Sequence, residues 1–476
     1  MIESTQVAAE PNVESAVSRF RAWMPYAVAV ALAGLYATMS VNNHLMFRTT
    51  GYDLGIFEQA VRAYAEGRAP VSELRGPGFV LLGDHFHPIL ITLAPFYKVF
   101  PSTITLLVAQ AVLVAVSAIP VTRLAARRFG TSFGLVVGLA YGLSWGLLSA
   151  VDFDFHEIVF AVPLLAFALE RLALEQWTAA VWWSVPLVLV KEDLPLTVAA
   201  IGGYLMLKGR RRLGGSVVLF GMISFVLIVL VLIPAFSPDS TYGQAHNLGA
   251  TAPSGLGDVV RLAWQAPGRL VLPEIKIETV VALLAPTAFL ALFSPMMLLV
   301  VPTLLWRFLS VNPNYWGTEF HYSAVLMPII YFAFLQAMAT GESELRAEAF
   351  RRLRRVVVAV SVVAAAAGLV DVFHGRTWTA SDRVVAAREM IALIPPGETV
   401  AASNRLAPQL TTTRTVQLFP AYQGNRITSD WVLVDTDFVY WPSTPAKQER
   451  ELADLRASGY QTVREARKYV LLHRTG

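Results

Sequence analysis

Acidic, basic and imidazole side chains lie in short clusters between the long apolar runs of this chain. The clusters occupy residues 51–59, 83–88, 152–157, 191–193 and 317–322. Carboxylates and imidazoles can act as general bases, and a lysine or arginine can neutralise a phosphate. Ionisable residues at a membrane usually face a cavity and serve a function. The clusters therefore predict one polar site at a membrane boundary.

Asp53 is the candidate catalytic carboxylate. It opens an amphipathic stretch that ends at Glu66 and Gly67. A simple alternative is a helix N-cap, in which the carboxylate accepts backbone N–H bonds and Gly67 ends the helix. The two roles are compatible, because a carboxylate held at a helix N-terminus is fixed and ionised, as a general base must be. Glu58, in the same stretch, is expected to line the cavity and bind substrate.

Two of the clusters, 83–88 and 152–157, each hold three or more acidic and histidine side chains. Such residues can hold a divalent metal, here Mg²⁺ or Mn²⁺. The alternative is a set of solvated turns and helix caps, since this spacing is common. The candidate ligands of an optional divalent ion are Asp84, His85, His87, Asp154, His156 and Glu157.

Lys191, Glu192 and Asp193 interrupt the otherwise apolar stretch 179–207. Buried charges must be paired, so a local pair between lysine and carboxylate is one interpretation. In the functional interpretation Lys191 contacts a phosphate, and Glu192 and Asp193 belong to a polar substrate-binding network. Arg307, at the end of another apolar segment, either extends to the interface or contacts a lipid phosphate.

The cluster 317–322 precedes another apolar segment. Glu319, His321 and Tyr322 are candidate substrate-binding residues of the same cavity. The alternative is an interfacial belt in which Tyr322 joins Tyr315 and Trp316.

The amino-acid composition indicates that most of the chain is surrounded by membrane lipid. Of 476 residues, 55% are hydrophobic and 15% are charged, and the mean hydropathy is +0.53. Average soluble domains are about a quarter charged. The chain has no cysteine, which excludes disulfides, thiolate metal sites and cysteine nucleophiles. The net charge of +4 is small and divided among loops, so it does not indicate nucleic-acid binding.

The apolar runs predict an all-α polytopic membrane protein with about eleven spanning or near-spanning helices. They cover residues 25–41, 103–122, 131–150, 157–174, 177–190, 194–207, 216–236, 279–293, 296–309, 323–340 and 356–372. Basic residues near 19–21, 123–128, 208–212 and 346–355 fall on one side of such an arrangement, which makes that side cytoplasmic. This topology predicts a cytoplasmic tail 1–24, a transmembrane domain 25–376 with outer loops 42–102 and 237–278, and an extracytoplasmic domain 377–476.

The C-terminal part of the chain has a different pattern. Apolar runs of strand length cover 399–402, 415–419, 431–434 and 469–472, with helical patterns at 381–394 and 446–458. Proline and glycine at 395–397 and Asn425 separate these elements. A small α/β domain is therefore predicted.

Several motifs, in order, resemble the bacterial membrane family numbered 2079 among the domains of unknown function. They are Tyr-Asp-Leu-Gly-Ile-Phe-Glu-Gln (52–59), Gly-Asp-His-Phe-His-Pro (83–88), Asp-Phe-His-Glu (154–157), Val-Lys-Glu-Asp (190–193), His-Tyr-Ser-Ala (321–324) and Ala-Ala-Ser-Asn-Arg-Leu (401–406). That family resembles the C-class (GT-C) glycosyltransferases, which include protein mannosyltransferases and aminoarabinose transferases. Those enzymes carry an acidic residue in the first outer loop, and Asp53 occupies the corresponding place. Asp152 and Asp154 match a further acidic position less securely.

The resemblance implies a glycosyltransferase of the bacterial plasma membrane. Its donor would be a polyprenyl-phosphate sugar drawn from the membrane lipid, and its acceptor an extracytoplasmic glycan or protein. A transporter or flippase would also have intramembrane charges and broken helices, although such proteins more often have inverted repeats. The sequence also leaves open a proton- or metal-coupled carrier and a structural scaffold.

Overall fold

The computed structural model is mainly helical and carries a small C-terminal sheet. It describes residues 13–248, 264, 267–422 and 425–475. Half of the predicted N-terminal tail and part of the predicted loop 237–278 therefore lie outside the described residues.

The apolar part of the chain is a bundle of long and short helices, several of which are extended by tighter or wider turns. Its α-helices include Val13–Leu45, Ile56–Ala65, Ala94–Val99, Thr103–Val116, Ala118–Phe129, Thr131–Gly142, Trp145–Phe153, Ala161–Ala173, Trp177–Ser184, Leu194–Leu207, Arg211–Leu227, Ile233–Phe236, Ile275–Leu284, Val301–Leu309, Leu326–Glu344 and Ala347–Phe373.

Within the described residues, four helical segments are long and apolar enough to cross a membrane. They are Arg21–Leu45, Thr103–Phe129, Arg211–Phe236 and Ala347–Phe373. A fifth span results if Thr131–Gly142 and Trp145–Phe153, which meet at a bend of 43°, form one. The predicted count of about eleven is not confirmed, because several apolar runs form shorter helices. The predicted helix 279–293, for example, is broken where Ala288 and Phe289 have positive φ angles of 49° and 59°.

Basic residues from three distant parts of the chain meet at one end of the bundle. Arg21 donates hydrogen bonds to the carbonyl oxygens of Ala126 and Arg127, at 2.7 and 3.0 Å. Arg354 donates to the carbonyl of Phe129 at 2.5 Å. Cations near the C-terminus of a helix are favoured by the helix dipole. Three of the predicted basic clusters therefore share one face.

The C-terminal domain, defined here as residues 382–474, is a five-stranded sheet with two helices. The strands are β1 Thr399–Ala402, β2 Thr415–Leu418, β3 Trp431–Asp435, β4 Tyr460–Ala466 and β5 Tyr469–Arg474, and the helices are Asp382–Ala392 and Pro445–Ala457. The strand order is β2-β1-β3-β5-β4. β1 is parallel to β2 and β3, and β5 is antiparallel to β3 and β4. The four predicted strands are confirmed, and β4 is an additional strand.

The turn that carries Asp53 packs directly on the C-terminal domain. The backbone N–H of Gly51 donates to the carbonyl of Asn404 at 2.6 Å, and that of Tyr52 donates to Asn404 Oδ1 at 2.8 Å. A Cβ atom on Gly51 would lie 2.5 Å from the Cβ of Ala407. The absence of a side chain at residue 51 is therefore what allows this docking.

Replacing Gly51 by alanine is expected to destabilise the protein by about 1–3 kcal/mol, since the extra methyl group overpacks the contact with Ala407. The second change Ala407→Gly should restore most of the lost stability, because it removes the opposing atom. Thermal unfolding of both variants in detergent checks this. Equal stability of Gly51→Ala and the wild type would contradict the close contact.

Candidate active site

One cavity of about 1470 Å³ lies between the connecting segments of the bundle and the C-terminal domain. Twelve of the fifteen site residues predicted from the sequence line this cavity. The twelve are Asp53, Asp84, His85, His87, His156, Glu157, Lys191, Glu192, Asp193, Glu319, His321 and Tyr322. Glu58, Asp154 and Arg307 lie outside its lining.

Asp53 and His156 form a hydrogen-bonded pair at the cavity wall. His156 Nε2 lies 3.1 Å from Asp53 Oδ1, and the carboxylate is 27% exposed whereas the imidazole is 7% exposed. The ring of His321 stacks on His156 with centroids 3.7 Å apart. Phe320, which precedes His321 in the sequence, has a positive φ of 62°, a strained conformation for a bulky residue. The carboxylate is thus the member of the pair that faces the cavity.

Asp154 positions the Asp53 turn from behind. Its Oδ2 atom accepts hydrogen bonds from the N–H and the hydroxyl of Thr50, at 2.9 and 2.7 Å. Burial, with the nearby charge of Asp53, raises the pKa of Asp154 well above its ordinary value. Burial therefore favours the neutral form of the Asp154 carboxyl. The alternative interpretation of Asp53 as a helix N-cap is wrong, since no side chain caps the helix Ile56–Ala65. Gly67 does follow the end of that helix, as expected, and has a positive φ of 74°.

Lys191 and Glu157 form a buried ion pair beside His156. Lys191 Nζ lies 2.7 Å from Glu157 Oε1. Burial raises the pKa of Glu157, but the charge of Lys191 together with three nearby histidines outweighs it, so the net pKa is below the ordinary value. Lys191 is 13% exposed and Glu157 only 1%. The pair therefore presents its cation to the cavity, with the carboxylate behind it.

His85 and Glu192 repeat this orientation. His85 Nδ1 lies 2.6 Å from Glu192 Oε1, with the imidazole 26% exposed and the carboxylate 5%. Burial lowers the pKa of His85, but the charge and hydrogen bond of Glu192 and the charge of Asp84 together outweigh it and leave the net pKa raised. Tyr242 also donates to Glu192, at 3.1 Å. Burial raises the pKa of Asp193 to about 6, and Trp306 donates to its carboxylate at 2.9 Å.

Glu58 and Arg307 are held by the protein itself. Glu58 is fully buried and accepts a hydrogen bond from the hydroxyl of Tyr97. Arg307, also fully buried, donates to the carbonyls of Tyr315, Gly317 and Tyr322 at 2.8, 2.9 and 3.3 Å. Neither residue lines the cavity, although Glu58 was expected to do so and Arg307 was expected to extend to the interface or contact a lipid phosphate.

Five of the six predicted metal ligands are engaged with other partners. Asp84 is paired with Arg75 at 2.9 Å, and the carboxylates of Glu157 and Asp154 are held by Lys191 and Thr50. In the described part of the chain, no group of three or more histidine and acidic side chains is placed to hold a metal ion. The optional divalent ion therefore stays a prediction, and the proposed chemistry does not require it.

Several lining residues were not singled out from the sequence. They are Arg75, Tyr242, Gln244, Asn404, Arg405, Tyr440 and Trp441. Asn404 and Arg405 belong to the motif 401–406, whose resemblance to the family was the available signal. Tyr440 and Trp441 follow β3 in a loop without a recognisable motif, and only the folded domain brings them to the cavity.

Comparisons with solved structures concern the fold. The crystal structure of ArnT from Cupriavidus metallidurans bound to undecaprenyl phosphate has a TM-score of 0.54 at 13% identity, over 96% of this chain and 99% of that chain. The structure of the same protein in the apo state has a TM-score of 0.46 at 13% identity, over 94% and 97%. The first of these shows that the chain has an ArnT-like fold.

Comparisons of sequence identify the family. A search of curated proteins finds no match. The family model described as "Predicted membrane protein (DUF2079)" matches residues 43–471, nearly the whole chain. The family expected from the ordered motifs is confirmed: the chain belongs to the DUF2079 family of membrane proteins.

Proposed function

We propose that this protein transfers a sugar from a polyprenyl-phosphate donor to an extracytoplasmic acceptor, with Asp53 as the general base. The protein would act in the bacterial plasma membrane, with its N-terminus in the cytoplasm and its C-terminal domain outside. The observation that carries the proposal is the arrangement of charges in one cavity. Asp53 presents a carboxylate there, Lys191 presents a cation and His85 presents an imidazole, and the last two are each backed by a buried carboxylate.

This arrangement suits a displacement at the anomeric carbon of the donor. Asp53 accepts the proton of an acceptor hydroxyl, whose oxygen forms the new bond to the anomeric carbon. The bond between that carbon and the phosphate oxygen breaks, and its electron pair leaves with the polyprenyl phosphate. Lys191 and His85 stabilise the charge that develops on the phosphate. A direct displacement of this kind inverts the configuration of the sugar.

His156 has a supporting role in this scheme. Its hydrogen bond to Asp53 leaves Asp53 Oδ2 with only a long contact to Thr50, at 3.4 Å. One oxygen is thus oriented while the other remains available to an acceptor hydroxyl. The similarity in fold to ArnT, which was solved with undecaprenyl phosphate bound, supports a polyprenyl phosphate as the lipid.

Lipid binding tests the proposal. The purified protein in nanodiscs is expected to bind undecaprenyl phosphate at least about tenfold more tightly than undecaprenol, because hydrogen bonds to a charged group contribute about 1.5–3 kcal/mol. Both affinities can be measured by native mass spectrometry. Equal binding of the two lipids would contradict a phosphate site. Movement of the lipid across proteoliposomes without covalent change would identify a flippase instead.

A further inference from the structure

Arg405 differs from the other lysine and arginine side chains that line the cavity. Arg75 is paired with Asp84, Lys191 is paired with Glu157, and Arg48 donates to backbone and hydroxyl oxygens. Within the described residues, Arg405 has no ion pair and no hydrogen bond, and its buried Nε atom has no partner. Its guanidinium lies 3.9 Å from the centre of the Tyr440 ring. This cation is held in place by stacking, and its donors are free.

The topology of the C-terminal domain places Arg405 at an edge suited to ligands. β1, β2 and β3 are parallel, so their carboxyl ends meet at one edge of the sheet. The segments that follow them contribute cavity-lining residues, namely Asn404 and Arg405 after β1, Tyr422 after β2, and Tyr440 and Trp441 after β3. Ligands of open α/β sheets bind outside the carboxyl ends of the strands. The domain therefore forms one wall of the site.

Aromatic rings surround this wall. Tyr52, next to Asp53, packs against Trp441 with ring centroids 4.8 Å apart and against Tyr422 at 5.1 Å. Aromatic side chains combine an apolar face with a polar group. Such faces can pack on the C–H side of a sugar ring, while the polar groups contact its hydroxyls.

A series of contacts connects Lys191 to Arg405 by way of Asp53. Lys191 is paired with Glu157, and the adjacent His156 is bonded to Asp53. On the other side of Asp53, the N–H of Tyr52 is bonded to Asn404, the neighbour of Arg405. Asp53 thus lies between the two cations along this path. In a direct displacement, the acceptor and the departing phosphate occupy opposite sides of the anomeric carbon.

We propose that Arg405 binds the negative group of an acidic carbohydrate acceptor, one that carries a phosphate or a carboxylate. The proposal rests on the proposed function, because it takes Lys191 as the side of the donor phosphate. Arg405 supplies the charge that selects the acceptor, and the rings of Tyr52, Tyr440 and Trp441 hold its sugar. The C-terminal domain is then the part of the chain that determines acceptor specificity.

Binding of small sugars to the full-length protein in nanodiscs tests this assignment. The probes are glucose 6-phosphate, glucuronate and glucose, and their binding is measured by saturation-transfer NMR. The wild type should bind both charged sugars at least about tenfold more tightly than glucose. Arg405→Gln should abolish this preference, and Arg405→Glu should reverse it. Arg426→Gln, which changes an exposed arginine of the same domain, should preserve it. None of these changes should alter the affinity for undecaprenyl phosphate more than about twofold.

Each other result has a distinct meaning. If the wild type shows no preference for charged sugars while undecaprenyl phosphate binds, the acceptor proposal is overturned and the transferase proposal stands. If Arg405→Gln weakens undecaprenyl phosphate and leaves the sugar preference intact, Arg405 belongs to the donor site and the assignment is wrong. If undecaprenyl phosphate fails to bind the wild type, the proposed function itself fails.

Discussion

Asp53→Asn is expected to lower the rate of sugar transfer by about 10²–10⁴-fold, the range that general acid–base catalysis contributes. Asparagine keeps the size of the side chain and an oxygen that can accept the hydrogen bond from His156. It cannot accept the proton of an acceptor hydroxyl. The fold and the affinity for undecaprenyl phosphate should therefore change little, and the loss should appear in kcat.

The measurement uses a panel of undecaprenyl-phosphate-linked sugars, with isolated cell envelope as the source of acceptor. Release of undecaprenyl phosphate reports turnover. Asp382→Asn is the matched control, since this carboxylate is 79% exposed and, among the residues that the structure describes, is paired only with Arg467 of the C-terminal domain. Full activity of Asp53→Asn with a donor that the wild type uses would refute the assignment of the base.

The local elements of the C-terminal domain could be predicted because each has a local cause. Strands β1, β3 and β5 are mostly buried apolar runs, and β2 alternates buried apolar residues with polar ones; turn residues separate them. β4 is mostly exposed and polar, as is common for an edge strand, and its extended conformation depends on its pairing with β5. The spans were harder to count, since apolar composition does not reveal where a helix breaks.

The members of the site could be predicted, but not how they pair. Polar clusters at the ends of apolar runs identified Asp53, His156 and Lys191 as cavity residues. The bond between Asp53 and His156 joins residues 103 positions apart, and local spacing cannot encode it. The same limit applies to Lys191, which pairs with Glu157 rather than with its neighbour Glu192. The burial of Arg307 and Glu58 could not be predicted, because a charged residue beside an apolar run can face a cavity or be satisfied inside the protein.

Lys191→Met is expected to destabilise the protein by about 3–5 kcal/mol, because it leaves Glu157 buried without its partner. The same change should weaken the binding of undecaprenyl phosphate by at least about tenfold, since a charged hydrogen-bond donor is lost. These two effects have different causes. Removing one member of a buried pair costs desolvation of the other, whereas the loss of phosphate binding follows from the missing cation itself.

The double variant Lys191→Met/Glu157→Leu separates the two effects. Replacing a buried ion pair by apolar residues of similar volume is often neutral or stabilising, so the double variant should regain most of the lost free energy of unfolding. It should still bind undecaprenyl phosphate as weakly as the single variant. Denaturant unfolding measures the free energy of unfolding, and native mass spectrometry measures the affinity for undecaprenyl phosphate. Arg352→Met, which breaks an exposed pair with Glu348, is the control and should leave both quantities unchanged. Tight binding by the double variant would mean that Lys191 serves the fold and that another group meets the phosphate.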